Sequence, residues 1–265
     1  MSAMALDALR YPNTCDGIDV SAAQTIGNAS MVAYAGFQFA LVKASEGTGY
    51  MDPRRLDHLK KLRDAGLLCS VYGFCRPSQG NPREQAKRLY EAMGDTFECR
   101  TVIDLESAPD VWTAAQLVAF GEEFADEIAS WGIAQPILYT YPSFAQKMQP
   151  ALGASTRLAM CPLWIAQYRS VTEAWVPPIG AKPIVPKPWA NWSIWQYSGN
   201  GGFRVPGIIG DCDRNLFQGD FAALRRFFGR VDPDAETAPQ LVHPRLFTVD
   251  ENPRPIAIDE DDEAD

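Results

Sequence analysis

The sequence predicts an α/β fold: an irregular TIM-like β/α barrel of about five strand–helix units followed by strands without helices. Three observations predict it. Short β-rich apolar runs alternate with amphipathic segments from the first strand-like run to Leu163. Several runs, such as Phe39-Ala40-Leu41-Val42, are apolar at every position, as strands covered on both faces are. After Leu163 the alternation stops, and strand-like runs follow one another across a stretch holding Pro177, Pro178, Pro183, Pro186 and Pro188. A doubly wound sheet would keep alternating; a barrel whose last strands lack helices need not.

Strands are expected over residues 17–20, 37–44, 67–74, 101–105, 136–140, 163–168 and 193–197. Helices are expected between them. Residues 53–65 are charged and amphipathic, and residues 82–93 start at Pro82, which suits a first helical turn. The longest covers 113–131, where Thr113 can cap the start and Leu117, Phe120, Phe124 and Ile128 recur at helical spacing. A shorter one covers 143–152. From about Arg230 onward periodicity gives way to Pro, Asp and Glu. The expected organisation is an N-terminal extension (1–14), a barrel (15–230) and a Pro/acidic-rich tail (231–265).

The chain has 265 residues, 46% of them hydrophobic and 22% charged, enough for one large core. Mean hydropathy is −0.18, and no apolar run nears the roughly 18 residues of a membrane span. Membrane insertion is not expected. Residues 1–10 lack a basic start followed by an apolar stretch, so no secretory signal is read there. That points to a protein that is cytoplasmic until it is released to its target, or carried on a particle.

The net charge of −9 is localised: residues 232–265 hold eleven acids and two bases, which leaves residues 1–231 neutral. A neutral body without a basic block argues against nucleic acid as partner. The acidic tail reads as a solvated segment, with an arm for a protein partner as the alternative. Six cysteines and two histidines show no zinc-type spacing, so no metal site is expected. Reduced thiols are the default without an export signal, although the even count leaves disulfides open.

In a parallel barrel, chemistry sits at the C-terminal strand ends. Asp19, Glu46, Asp104, Glu106 and the Asp213 segment fall at such ends. In Asp104-Leu105-Glu106 the two acids are i and i+2 on a strand, so they face one side with Cα atoms ~6.5 Å apart, at about 3.3 Å per residue. Carboxyls that close cannot both ionise freely away from water, which makes an acid beside a base, as glycosidic cleavage requires. The pair alone also fits two solvated carboxylates at a strand end. Aromatics crowd the same ends: Tyr72, Phe74, Tyr139, Trp164, Tyr168, Trp195 and Tyr197, with Gln196 among them. Rings and amides between carboxylates suit a sugar, with its apolar faces and hydroxyl rim.

These segments together resemble the glycoside hydrolase family 25 lysozymes (Chalaropsis-type N-acetylmuramidases). The resemblance runs in order over roughly residues 16–220. It takes in Asp16-Gly17-Ile18-Asp19-Val20-Ser21, the run from Phe39 to Gly47, Val71-Tyr72-Gly73-Phe74, Ile103-Asp104-Leu105-Glu106, Ile137-Leu138-Tyr139-Thr140, Leu163-Trp164-Ile165-Ala166-Gln167-Tyr168, Trp195-Gln196-Tyr197-Ser198 and Asp213-Arg214-Asn215.

It implies hydrolysis of the β-1,4 bond between N-acetylmuramic acid and N-acetylglucosamine in peptidoglycan glycan strands, without a cofactor. It implies Glu106 as general acid/base, Asp104 as the carboxylate assisting the substrate acetamido group, and Asp19 and Asp213 as the other acids. Glu46, Tyr72, Phe74, Tyr139, Trp164, Tyr168, Trp195 and Gln196 become substrate-binding candidates. The chain departs from the family at Gly73, where His is usual, so that a polar contact is expected to be missing or supplied differently; Cys75 and Arg76 are also atypical. A structural or wall-docking component of a phage tail or injection particle is the alternative function, and a chitinase-like hexosaminidase a third.

Overall fold

The computed structural model describes residues 11, 13–94, 99–153, 156–168, 177, 180–199 and 204–229; the tail 231–265 and its expected role lie outside them. Strand β1 (Thr14–Val20) is followed by a short β2 (Thr25–Ile26) and helix α1 (Ala29–Tyr34). Four further units follow: β3 (Phe39–Glu46) with hairpin strand β4 (Tyr50–Met51) and α2 (Arg55–Asp64), β5 (Leu68–Phe74) with α3 (Pro82–Ala92), β6 (Val102–Asp104) with α4 (Ala114–Ser130), and β7 (Ile137–Thr140) with α5 (Pro142–Met148) and α6 (Arg157–Met160). Then come β8 (Leu163–Ala166), β9 (Ile194–Ser198), β10 (Ile208–Ile209), β11 (Asp213–Gln218) and α7 (Phe221–Phe227).

The sheet runs β1-β11-β9-β8-β7-β6-β5-β3, with β4 beside β3, and a β1–β3 pairing closes it into a barrel. Pairing is parallel from β1 through β3, β5, β6, β7 and β8 to β9. Strand β11 is antiparallel to both neighbours, β1 and β9. The expected parallel barrel is thus a mixed one. The reason is in the connections: β8 and β9 stay parallel because the long Pro-bearing stretch between them serves as a crossover, whereas the chain from β9 returns without one and must pair antiparallel.

Local chemistry sets the helices. Thr113 and Gln116 form a reciprocal capping box at the start of α4, and Asn81 caps α3 ahead of Pro82. Leu117, Phe120, Phe124 and Ile128 of α4 are buried, as their spacing predicts. The outward strand residues Ile18, Ala40, Val42, Val71, Ile103 and Leu138 pack with them in one layer between sheet and helices. A second layer, including Phe39, Leu41, Leu68, Val102, Ile137 and Phe217, fills the barrel, and Leu224 and Phe228 from the α7 region join it. Gly17 is required there: a Cβ would come within 2.2 Å of the Phe39 ring. The six cysteines are buried, and among the described residues no helix is long and apolar enough to cross a membrane.

Candidate active site

The antiparallel β11 decides the geometry of the site. Asp213 is its first residue and pairs with Asp19, near the C-terminal end of β1. A strand running backwards starts at the rim where the parallel strands end. That single reversal puts Asp213 beside Asp19 and opposite the end of β6. Asp104 ends β6, and Glu106 lies two residues beyond it. The expectation that both sit on one strand is corrected: the strand stops at Asp104. The extended alternation nevertheless continues one step, because the Leu105 N–H donates to the Tyr139 carbonyl at 3.0 Å and Leu105 packs outward with Ile103. The four acids form one electrostatic group. Asp104 feels the charges of Glu106 and Asp19, and Asp19 feels Asp213 and Glu106.

Amides hold the Asp19 wall. Asp19 Oδ2 accepts an N–H from Asn215 at 2.8 Å and one from Gln196 at 2.9 Å. The Gln196 amide also donates to Asp213 Oδ2 at 3.4 Å, while its carbonyl accepts the hydroxyls of Tyr139 and Tyr168, both at 2.8 Å. A primary amide has two N–H donors and two lone pairs; all four are used here. Trp164 Nε1–H donates to Asn215 Oδ1 at 2.8 Å, which fixes the orientation of the second amide.

Ion pairs hold the adjoining wall, on β3 and the end of β5. Glu46 Oε2 accepts from Lys43 Nζ at 2.5 Å, and Glu46 Oε1 accepts from Arg76 Nε at 2.8 Å and from Arg76 Nη2. The Phe74 ring lies between the cations, 4.9 Å from Lys43 Nζ and 4.4 Å from the Arg76 guanidinium carbon.

Burial sets the proton inventory. It raises the Asp104 carboxyl well above the ordinary aspartate range, and the charge of Glu106 adds to this. Asp104 Oδ1 is buried and has no hydrogen-bond partner. Burial and the neighbouring Asp213 push Asp19 up to about 8, against the lowering hydrogen bonds of Asn215 and Gln196. Glu106 is raised by burial and Asp213, with Lys43 and Arg76 pulling it down. Burial also opposes ionisation of Glu46, but the hydrogen bonds and charges of Lys43 and Arg76 outweigh it, leaving Glu46 below its ordinary value. Among the described residues no group of three His, Cys, Asp or Glu side chains is arranged to hold a metal ion.

The structure brings Asp19, Asp104, Glu106, Asp213, Glu46, Tyr72, Phe74, Tyr139, Tyr168 and Gln196 to one end of the barrel. Tyr168 is exposed, and Tyr72 and Phe74 are partly so. Trp195 is a correction. It is fully buried on the outer face of β9 with Leu163, Ile165, Trp192 and Tyr197, because neighbours of the inward Gln196 must point outward. Two further expectations change in kind. Trp164 is buried beneath the mouth, edge-on to Tyr72 and Tyr139, and Gln196 has no hydrogen-bonding capacity left for a sugar. Both support groups that face the mouth. Gly73 also points outward: a Cβ there would meet Ser45 Oγ at 3.1 Å and Leu89 Cδ2 at 3.3 Å, so the departure from His concerns packing of α3, not a contact at the mouth. Asn215, Lys43 and Arg76 were not among the expected site residues. Asn215 stands i+2 from Asp213, and Lys43 i+2 from the inward Leu41, so strand parity identifies both.

This arrangement has known counterparts. The chain is 30% identical to Lysozyme M1 of Streptomyces globisporus over 217 residues, covering 78% of this chain and 69% of that one. It is 28% identical to the N,O-diacetylmuramidase of Chalaropsis sp over 198 residues, covering 70% and 88% respectively. The crystal structure of a bacterial lysozyme from Streptomyces coelicolor superposes with a TM-score of 0.71 at 29% identity, over 82% of this chain and 98% of that one. The family model for glycosyl hydrolases family 25 matches residues 18–207, and the chain belongs to that family.

Proposed function

We propose that Glu106 is the proton donor, and Asp104 the acetamido partner, of a muramidase that cleaves the β-1,4 bond between N-acetylmuramic acid and N-acetylglucosamine with retention. The observation that carries this reading is Asp104 Oδ1, buried and without a partner beside Glu106. An acceptor oxygen left open in a desolvated site is costly unless a ligand fills it. The acetamido N–H of the sugar is a group of the right polarity.

Asp104 and Glu106 are close enough to titrate as a pair, and burial raises the proton affinity of both, which favours a proton held between them. A donor arriving at Asp104 Oδ1 favours the charged form of Asp104 and leaves the proton on Glu106. Glu106 then protonates the glycosidic oxygen as the C1–O bond breaks. The acetamido carbonyl oxygen closes onto C1, and the positive charge on the resulting ring faces the Asp104 carboxylate. Water adds to C1 from the side that the leaving group vacated, as the bond from C1 to the acetamido oxygen breaks and the acetamido group is restored, and the water gives its proton to Glu106, which restores the acid. Asp19 and Asp213 line the side of the site facing Glu106, where positive charge develops at C1, and the amides of Gln196 and Asn215 keep them in place.

Mass spectrometry of muropeptides released from purified sacculi tests the reading. The wild-type chain should release fragments ending in reducing N-acetylmuramic acid, with the β-anomer formed first. Glu106→Gln should lower turnover by at least about a thousandfold while leaving the melting transition in place. Fragments ending in reducing N-acetylglucosamine, or a Glu106→Gln variant of undiminished activity, would refute it.

A further inference from the structure

Arg76 stands at the mouth of the barrel, and the proposed chemistry does not use it. Its backbone is clamped: its N–H donates to Gln85 Oε1 and its carbonyl accepts from Gln85 Nε2, both at 2.9 Å, and Gln85 is buried under α3. Its side chain is clamped as well, its guanidinium carbon over the Phe74 ring and its Nε and Nη2 bonded to Glu46. Those two groups form one edge of the guanidinium. The other edge, Nη1 and the outer N–H of Nη2, has no hydrogen-bond partner among the described residues, and the side chain is 38% exposed.

Charge on this wall does not cancel. Lys43 and Arg76 share the single carboxylate of Glu46, which leaves a surplus positive charge. Lys43 lies deeper, 16% exposed, and acts more strongly on Glu106 than Arg76 does. The outer cation therefore has its fork held open toward solvent, on the β3–β5 wall beside β1. A guanidinium edge fixed in this way is built for a planar pair of anionic oxygens, and its ordering is already complete before a ligand arrives.

In peptide-bearing strands the sugars offer no such anion, because the lactyl carboxyl of each muramyl residue is spent in the amide bond to the stem. The peptide stem attached to the lactyl group of the muramyl residue does, because its acidic residue and its C-terminus carry free carboxylates. Resting on the muramidase reading, we propose that the open edge of Arg76 binds a carboxylate of the muramyl peptide stem, so that this wall selects glycan that still bears peptide.

The test compares two glycan preparations from the same sacculi. Both are stripped of phosphate-bearing wall polymers; one is then freed of stems by an amidase, and the lactyl carboxyls this exposes are capped as methylamides. For the full chain, kcat/KM on peptide-bearing strands divided by kcat/KM on bare strands should fall about tenfold in Arg76→Gln, as expected for one charge-assisted contact. It should fall further in Arg76→Glu, and the change should lie in KM on the peptide-bearing strands. A ratio within twofold of wild type in both variants would overturn the proposal. So would an equal loss on both preparations, which would assign Arg76 to Glu106 instead of to the peptide. If the wild-type chain cleaves neither preparation, the muramidase reading fails and this proposal goes with it; cleavage of both with an unchanged ratio leaves that reading standing and sinks this one alone.

Discussion

The two walls of the barrel mouth hold charge out of water by opposite means. On the β1–β11–β9 wall, Asp19 and Asp213 lie side by side and take hydrogen bonds from neutral amides, with phenols holding the Gln196 amide in turn. On the β3–β5 wall, one carboxylate serves two cations. Amides orient a carboxylate without neutralising it, so the first wall keeps its proton affinity high. Cations neutralise Glu46, so the second keeps its carboxyl ionised. Asp104 and Glu106 stand between a wall that raises their proton affinity and one that lowers it. The carboxyl group acquires different proton affinities on neighbouring strands because its partners differ, not its exposure alone.

Removing an amide should break this contrast most severely. Gln196→Leu leaves two carboxylates and two hydroxyls short of a bond each, two of them at buried residues. The structure cannot relax all four toward solvent at once. A loss of about 3 kcal/mol of stability is expected, which lowers Tm by about 6–12 °C in a domain of this size. Thermal denaturation at neutral pH measures it. A drop of a degree or two would mean that the network is loose and that the first wall is not held by its amides.

Asp19→Asn sharpens the contrast in the other direction. The folded chain holds the Asp19 proton to about pH 8, whereas an unfolded aspartate releases it near 3.8. A raised acid contributes stability in full below its unfolded value, and that contribution is lost as pH rises through the folded value. Wild-type stability therefore falls across the window from about 4 to about 8. Asparagine has no such proton to lose: its carbonyl can accept the same two N–H groups, and its amide can face Asp213. The Tm of Asp19→Asn should match wild type near pH 4.5 and exceed it by a few degrees at pH 8.5, even as activity is lost. A variant less stable than wild type at both pH values would show that Asp19 is not strained by its neighbours.

Much of this was legible in the sequence, and the misses share a cause. The strand–helix alternation and the acids at strand ends follow from composition and order along the chain. The error at Trp195 was legible too: adjacent strand residues cannot both face inward, so an inward Gln196 already excludes Trp195 and Tyr197. Counting aromatics near a rim ignored that parity. The reversal of β11 was not legible, because no tight-turn signal marks it and its direction is set by the missing crossover after β9. Without that reversal, Asp213 is merely an acid after the last strand. Helices α1 and α7, six and seven residues long, were not expected, since so short an apolar pattern has no clear period. Arg76 could be named as unusual, but its open edge depends on Glu46 two strands' ends away, a relation that no local pattern encodes.

The smallest effect separates the walls by their reach into the catalytic pair. Lys43 is the strongest cationic influence on Glu106 and on Asp104. Lys43→Met keeps much of the side-chain volume over Phe74 and removes the charge. Two consequences then act in the same direction. Glu106 loses a positive neighbour, and Glu46 keeps only Arg76 to offset its own negative charge. Both favour the protonated pair, so the alkaline limb of kcat/KM, where the free enzyme loses its catalytic proton, should move to higher pH by about one unit. The Asp19 wall is untouched, so the stability difference between wild type and Asp19→Asn should keep its pH dependence in the Lys43→Met background. A limb that stays in place would show that the cationic wall serves Glu46 alone; a limb that moves down would show that the proton lost there does not belong to the Asp104–Glu106 pair.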